Sequence, residues 1–284
     1  MINLLPSALD IISVILILLL VATGLMVIFG LMGVINMAHG EFFLIGAYGV
    51  YYFIQIGLPF YIAVPLSSLG VGLLGLLIEA ILIRHLIHRP LDTILATWGL
   101  SIVLKQLVVI FFGPGSVSVD LPIDGMIEFG PISYPFYRII VMLFSIIIML
   151  FIIVLYRYSK FGLAIRATIE DPKVASSLGI NNNTLHKISF FIGASLAGLA
   201  GALIAPLISV DPQMGLGYLV PSFLSILVGG VWNITGTVVG VLFIGGLDGL
   251  ANLFISPVFS QILVFTLAII IIRFRPKGIF GGRG

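Results

Sequence analysis

Long apolar runs alternate with short polar joints along the whole chain. Apolar stretches occupy Leu9 to Phe29, Glu41 to Ile56, Phe60 to Ile83, Leu91 to Phe112, Arg138 to Leu155, Ile188 to Pro206, a shorter one Leu219 to Gly230, then Gly236 to Phe254 and Val258 to Ile272. A helix needs roughly 20 apolar residues to cross the hydrocarbon of a bilayer. The pattern therefore predicts an all-α fold, a polytopic transmembrane helical bundle of about nine spans, some of them interrupted, in one transmembrane domain. Gly57 to Pro59 makes a turn. Gly113 to Pro135, rich in Gly and Pro and carrying Asp120, Asp124 and Glu128, is expected to be an exposed loop. The start lacks a basic region and a small-residue cleavage site, so the first run is expected to be a retained span.

One stretch breaks the pattern. Gly30 to Tyr48 sets Asn36, His39 and Glu41 among glycines 30, 33, 40 and 46, between two apolar runs. Backbone freed at membrane depth has to be satisfied by protein or by a water-filled cavity, so a glycine-interrupted segment with a few polar side chains tends to line a path. The same glycines would also serve close helix packing, with Asn36 and His39 bonded between helices. A weak internal echo accompanies the stretch: G-V-I-N at Gly33 to Asn36 recurs as G-V-W-N at Gly230 to Asn233, which fits a duplicated helical unit.

Composition narrows the class. Hydrophobic residues make up 60% of the 284 positions and charged residues 8%, which leaves no room for a sizeable soluble domain. No cysteine occurs, so disulfides and thiolate metal sites are closed. The histidines at 39, 85, 88 and 186 form no hydrolase constellation, and neither a cofactor nor a metal is expected. Eleven of the thirteen Lys and Arg fall in three groups, Arg84 with Arg89, five between Arg157 and Lys187, and Arg273, Arg275, Lys277 and Arg283. Nine spans place all three groups on one side, the cytoplasm by the distribution of basic residues, with the C-terminus there too. Membrane lipid is thus an expected partner and nucleic acid is not.

Within the hydrophilic stretch from about 157 to 187, E-D-P-K-V-A-S-S-L-G-I is punctuated as a short helix from Pro172 to Leu178. Asp171 can cap it, Pro172 fits its first position, and Gly179 suits a left-handed stop. Val174, Ala175 and Leu178 would share a face, turned either to the protein's own membrane side or into a groove on a cytoplasmic partner. The chain has no G-x-x-x-x-G-K-S/T phosphate loop, so any ATP-driven step would need another polypeptide.

The stretch Gly30 to Tyr48, the loop R-A-T-I-E-D-P-K-V-A-S-S-L-G-I, the run G-G-V-W-N-I-T-G-T-V-V-G and the closing R-P-K-G-I-F-G together resemble the high-affinity branched-chain amino-acid permeases of ATP-binding-cassette importers, over essentially the whole chain. R-P-L-D-T-I-L-A-T-W-G-L-S at Arg89 to Ser101 and G-Y-L-V-P-S-F at Gly217 to Phe223 look more like the urea-permease branch. The resemblance implies a permease subunit of an importer in the inner membrane, not itself an enzyme. Its implied partners are a second homologous permease, two cytoplasmic ATPases and an external solute-binding protein. It also implies a translocation path along Asn36, His39, Gly40, Glu41 and Asn233, and coupling to the ATPase through Arg166, Asp171, Pro172, Ala175 and Gly179.

On branch resemblance the expected solute is urea, with a branched-chain amino acid as the alternative. An ion-coupled carrier, with Glu79, Lys105 and Asp248 as a relay, or a channel, either working without an ATPase, is the alternative from another class. Two positions depart from the family pattern. Trp232 stands where glycine is usual and is expected to narrow or plug its turn. Lys105 stands where a neutral polar residue is usual, and is expected either to pair with Asp248 inside the bundle or to snorkel along its own helix.

Overall fold

The computed structural model describes residues 4–129 and 132–280; Arg283, expected among the basic residues of the C-terminus, lies outside them. Helix α1 runs over Leu4–Met32, α2 over His39–Gln55 and α3 over Phe60–Ile78, which widens into a π-helical turn at Glu79–Ile83 before the short α4, Arg84–Leu86. Then come α5 (Pro90–Phe112), strands β1 (Met126–Phe129) and β2 (Ile132–Pro135), α6 (Phe136–Tyr158), α7 (Lys160–Glu170) and α8 (Pro172–Ser177). The chain continues with α9 (Asn182–Ile204), α10 (Met214–Gly229), α11 (Ile234–Ala251) and α12 (Pro257–Phe274).

Among the described residues seven helices are long and apolar enough to cross a membrane: α1, α3 through α4, α5, α6, α9, α11 and α12. The expected second and seventh spans are the 17-residue α2 and the 16-residue α10. At 1.5 Å per residue each is about 25 Å long, less than the roughly 30 Å of hydrocarbon.

Helices α1 and α9 form the centre, and small residues let their neighbours approach. Gly24 of α1 lies against the backbone of Gly193, and on the other side of α9 the backbone of Gly198 meets Gly46 of α2. Such small-residue contacts are the usual means of close helix association in a bilayer, where burying apolar side chains against each other brings little gain over lipid. Phe42, Phe43, Tyr48 and Phe190 fill the space around them.

Both ends of the bundle carry more structure than the polar pattern announces. The expected loop Gly113 to Pro135 holds the antiparallel β1–β2 hairpin, and Val117 exchanges two backbone hydrogen bonds with Val210, at 2.8 and 2.9 Å. The loop is thus tied down onto the segment leading into α10. At the basic end the hydrophilic stretch is almost wholly helical, because α6 persists to Tyr158 and α9 begins two turns early, where the Asn181 side chain accepts from Thr184 N. The C-terminal R-P-K-G-I-F run folds back beneath α10: Ile279 N and Phe280 N donate to the carbonyls of Val228 and Gly229, groups a helix end leaves unpaired.

Candidate functional site

The interrupted segment begins where α1 stops. Gly33 adopts φ +64°, a left-handed conformation that favours glycine, and its N–H closes on Phe29 O at 2.8 Å. Residues 33–38 then turn back into the bundle instead of crossing out of it. The evidence is a contact at the start of α2: His39 Nε2 lies 3.1 Å from Val21 O. Val21 is near the middle of α1, roughly 16 Å back from Met32 at 1.5 Å per residue. Helix α2 therefore starts inside the bundle and runs outward from there.

Helix α10 starts at the same place. Gly40 and Gly215 pack backbone to backbone; a Cβ on Gly215 would stand 2.7 Å from Gly40 O. One turn on, the rings of Phe43 and Tyr218 stack with centroids 4.1 Å apart. Two helix N-termini thus meet in mid-bundle, α2 leaving toward one end and α10 toward the other. Unpaired N–H groups and aligned dipoles make each such terminus a positive end.

Glu41 stands in the first turn of α2 at this junction, 2% exposed. Its Oε1 accepts from Ser101 Oγ at 2.8 Å, while Oε2 is buried, has no hydrogen-bond partner and lies against Gly215. Asn36 Oδ1 accepts from Ala38 N at 3.0 Å, whereas Asn36 Nδ2 and His39 Nδ1 are buried without partners. Unsatisfied buried polar atoms are costly and uncommon; here three of them fall within six residues.

The other wall is a polar stripe on α5 that the sequence reasoning missed. Thr93, Thr97, Ser101 and Lys105 recur every fourth residue of a largely apolar helix, which sets them along one side. Thr97 Oγ1 accepts from Met37 N at 3.1 Å, Ser101 holds Glu41, and Lys105 Nζ donates to Gln213 Oε1 at 3.3 Å, at the start of α10. Gln213 is fixed in turn by its N–H on Asp211 Oδ1, 2.8 Å away. The four-residue spacing was legible; Gln213 and Gly215 carried no signal beyond lying before a short span.

Several expected groupings are not formed. The Lys105–Asp248 pair is absent: Asp248, near the far end of α11, accepts from Ser260 Oγ at 2.6 Å. Lys105 reaches across to α10 instead of snorkelling along α5. Glu79 bonds Arg84 at 3.2 Å, the π-turn bringing residues five apart onto one side, so Glu79, Lys105 and Asp248 have separate partners and make no relay. Asn233 shares with Asn36 a side-chain bond to the N–H two residues on, Thr235 N at 3.0 Å, and a preceding positive-φ glycine, Gly230. It is exposed at the basic end, however, in a hollow with Arg157 and Arg166 and away from Glu41. Trp232 is half exposed and plugs nothing.

The short helix α8 is capped as expected, Asp171 Oδ1 accepting from Lys173 N and Val174 N at 2.8 and 3.1 Å, with Gly179 at φ +88°. Its apolar face is split. Ala175 is buried at 1%, while Val174 and Leu178 are 55% and 76% exposed at the basic end. Arg166 does not reach outward: it donates to the carbonyls of Tyr156 and Arg157 and lies over the Tyr156 ring, capping α6.

The family described as branched-chain amino acid transport system, permease component, matches residues 7–272. The chain is similar to the high-affinity branched-chain amino acid transport system permease protein LivH of Salmonella typhimurium, 30% identical over 280 residues, covering 92% of this chain and 90% of the relative. It is 28% identical over 278 residues to the LivH protein of Escherichia coli, with 92% and 90% covered. It is also 26% identical over 208 residues to the nucleoside ABC transporter permease protein NupC of Lactococcus lactis, with 66% and 62% covered. No solved structure matches the chain.

Proposed function

The chain belongs to the family of permease components of branched-chain amino acid transport systems, and from that membership we propose that it forms the solute path of an ATP-binding-cassette importer for a branched-chain amino acid. The observation that carries the path is the mid-bundle junction of α2 and α10, with the unbonded Glu41 oxygen beside Gly215 and the α5 stripe as its other wall. Discontinuous helices whose N-termini meet at mid-membrane are a recurrent way to build a transport site, because freed backbone groups and side chains there face a cavity instead of lipid.

Urea, the solute expected from Arg89 to Ser101 and Gly217 to Phe223, gives way to the amino acid. Of the relatives described above, two are named for branched-chain amino acids, one for nucleosides and none for urea. Glu41 and Lys105 at the junction also suit a solute carrying both charges better than a neutral diamide.

The engine is supplied by separate ATPase subunits, reached through α8. Val174 and Leu178 form an apolar tip beside Lys173 that none of the described residues covers. With the basic end taken as cytoplasmic in the inner membrane, a second homologous permease completes the path and an external binding protein delivers the solute. The test is uptake of labelled leucine and labelled urea into proteoliposomes that hold the complete complex, with ATP inside and binding protein outside. ATP-dependent leucine uptake supports the assignment. Urea uptake without leucine uptake, or transport that needs no ATPase, overturns it.

A further inference from the structure

We infer that Lys105 is a specificity-determining residue of the path and engages the carboxylate of the solute, an assignment that rests on the importer function proposed above. Lys105 lies about one turn beyond the centre of α5, and its single side-chain hydrogen bond goes to a neutral amide, Gln213 Oε1, at 3.3 Å. Among the described residues it has no anion within ion-pair distance. Glu41 of α2 is near enough to act on it electrostatically but holds Ser101, one turn back along the stripe. A lysine at such depth is costly unless an anion or water meets it.

The neighbourhood fits an arriving anion. Gln213 is exposed and Lys105 partly exposed, at a depth where polar groups do not face hydrocarbon, so this edge borders a cavity or a partner permease. The positive N-terminus of α10 opens beside it. A carboxylate entering there replaces a neutral acceptor on Nζ with an ionic one, which adds Coulomb attraction to the ammonium's hydrogen bond. Asp211 and Glu41 flank the position, so a solute carrying an ammonium as well meets acceptors of the right sign. Urea offers Lys105 no anion. A lone carboxylic acid would meet Lys105 but leave the flanking carboxylates opposing it. The geometry therefore favours zwitterionic amino acids.

The test uses the complete complex in proteoliposomes, with labelled leucine as probe and wild-type uptake read first. Lys105→Gln is expected to lower ATP-driven leucine uptake at least tenfold, and Lys105→Arg to keep a third or more. Because the chain has no cysteine, Lys105→Cys gives a second arm. Modification with 2-aminoethyl methanethiosulfonate, which rebuilds an ammonium, should restore uptake at least fivefold, and the sulfonatoethyl reagent should not. Uptake by Lys105→Gln within twofold of wild type, or equal effects of the two reagents, overturns the assignment while leaving the importer function standing. A wild-type complex that moves urea and no leucine overturns both.

Discussion

Gly40 and Gly215 touch backbone to backbone at the point where α2 and α10 both begin. Neither side chain could be larger without separating the two helices. A Cβ on Gly40 would stand 2.9 Å from the Gly215 carbonyl carbon and 3.1 Å from Leu219 Cβ, and these are a backbone atom and a side-chain atom bonded directly to the backbone, with little freedom to move aside. Gly40→Val is expected to cost about 1–3 kcal/mol by overpacking and to abolish uptake by shifting Glu41 against Gly215. Thermal unfolding of the purified complex and leucine uptake check the two parts separately.

Leu178 is the most exposed apolar residue of the α8 region, and the fold gives it no internal role. Leu178→Glu should leave stability within about 0.5 kcal/mol, as surface changes usually do. It should break co-purification with the ATPase subunits and lower ATP-driven uptake at least tenfold. Ala175→Leu is the opposite case: Ala175 is buried, so the larger side chain should destabilise the region first. Pull-down and melting curves for the two variants separate docking from packing.

At the end opposite the basic one, Asp10 of α1 accepts hydrogen bonds from Arg138 of α6 and, at 3.0 Å, from the Tyr134 hydroxyl of β2. Asp10 and Arg138 are partly exposed, so the pair is screened and its contribution is modest. Asp10→Asn should lower stability by about 1 kcal/mol or less, with a difference from wild type that shrinks in high salt. A difference that grew with salt would contradict an electrostatic origin.

The spans were legible in the sequence because apolar runs, prolines at helix starts and glycine stops act locally. Pro90, Pro172 and Pro257 each sit at a first helical position, and Gly33, Gly113, Gly179 and Gly230 end helices with positive φ. The importance of Asn36 to Glu41 was legible for the same reason, since polar residues at that depth stand out against their surroundings. What pairs with what was not. Matching Lys105 to Asp248 assumed straight spans of equal length, but α10 starts in mid-bundle and brings Gln213 to Lys105, while Asp248 lies near the end of α11. The internal bonds of Arg166 were hidden for a related reason: only the fold shows that α6 ends just where its guanidinium can cap it. Thr97 and Ser101 could have been found from the period of four on α5.

The central claim is that solute passes between the α2–α10 junction and the polar stripe of α5. With no native cysteine in this chain, Ser101→Cys and Leu95→Cys place single thiols on the stripe and on the exposed apolar side of the same helix. The measurement is modification of each by a charged, membrane-impermeant methanethiosulfonate in the assembled complex, followed by leucine uptake. The account predicts that Ser101→Cys is modified, that leucine with its binding protein slows the modification, and that uptake falls at least tenfold, while Leu95→Cys stays unmodified in the bilayer. An inert Ser101→Cys in an actively transporting complex would contradict it and place the path elsewhere in the bundle.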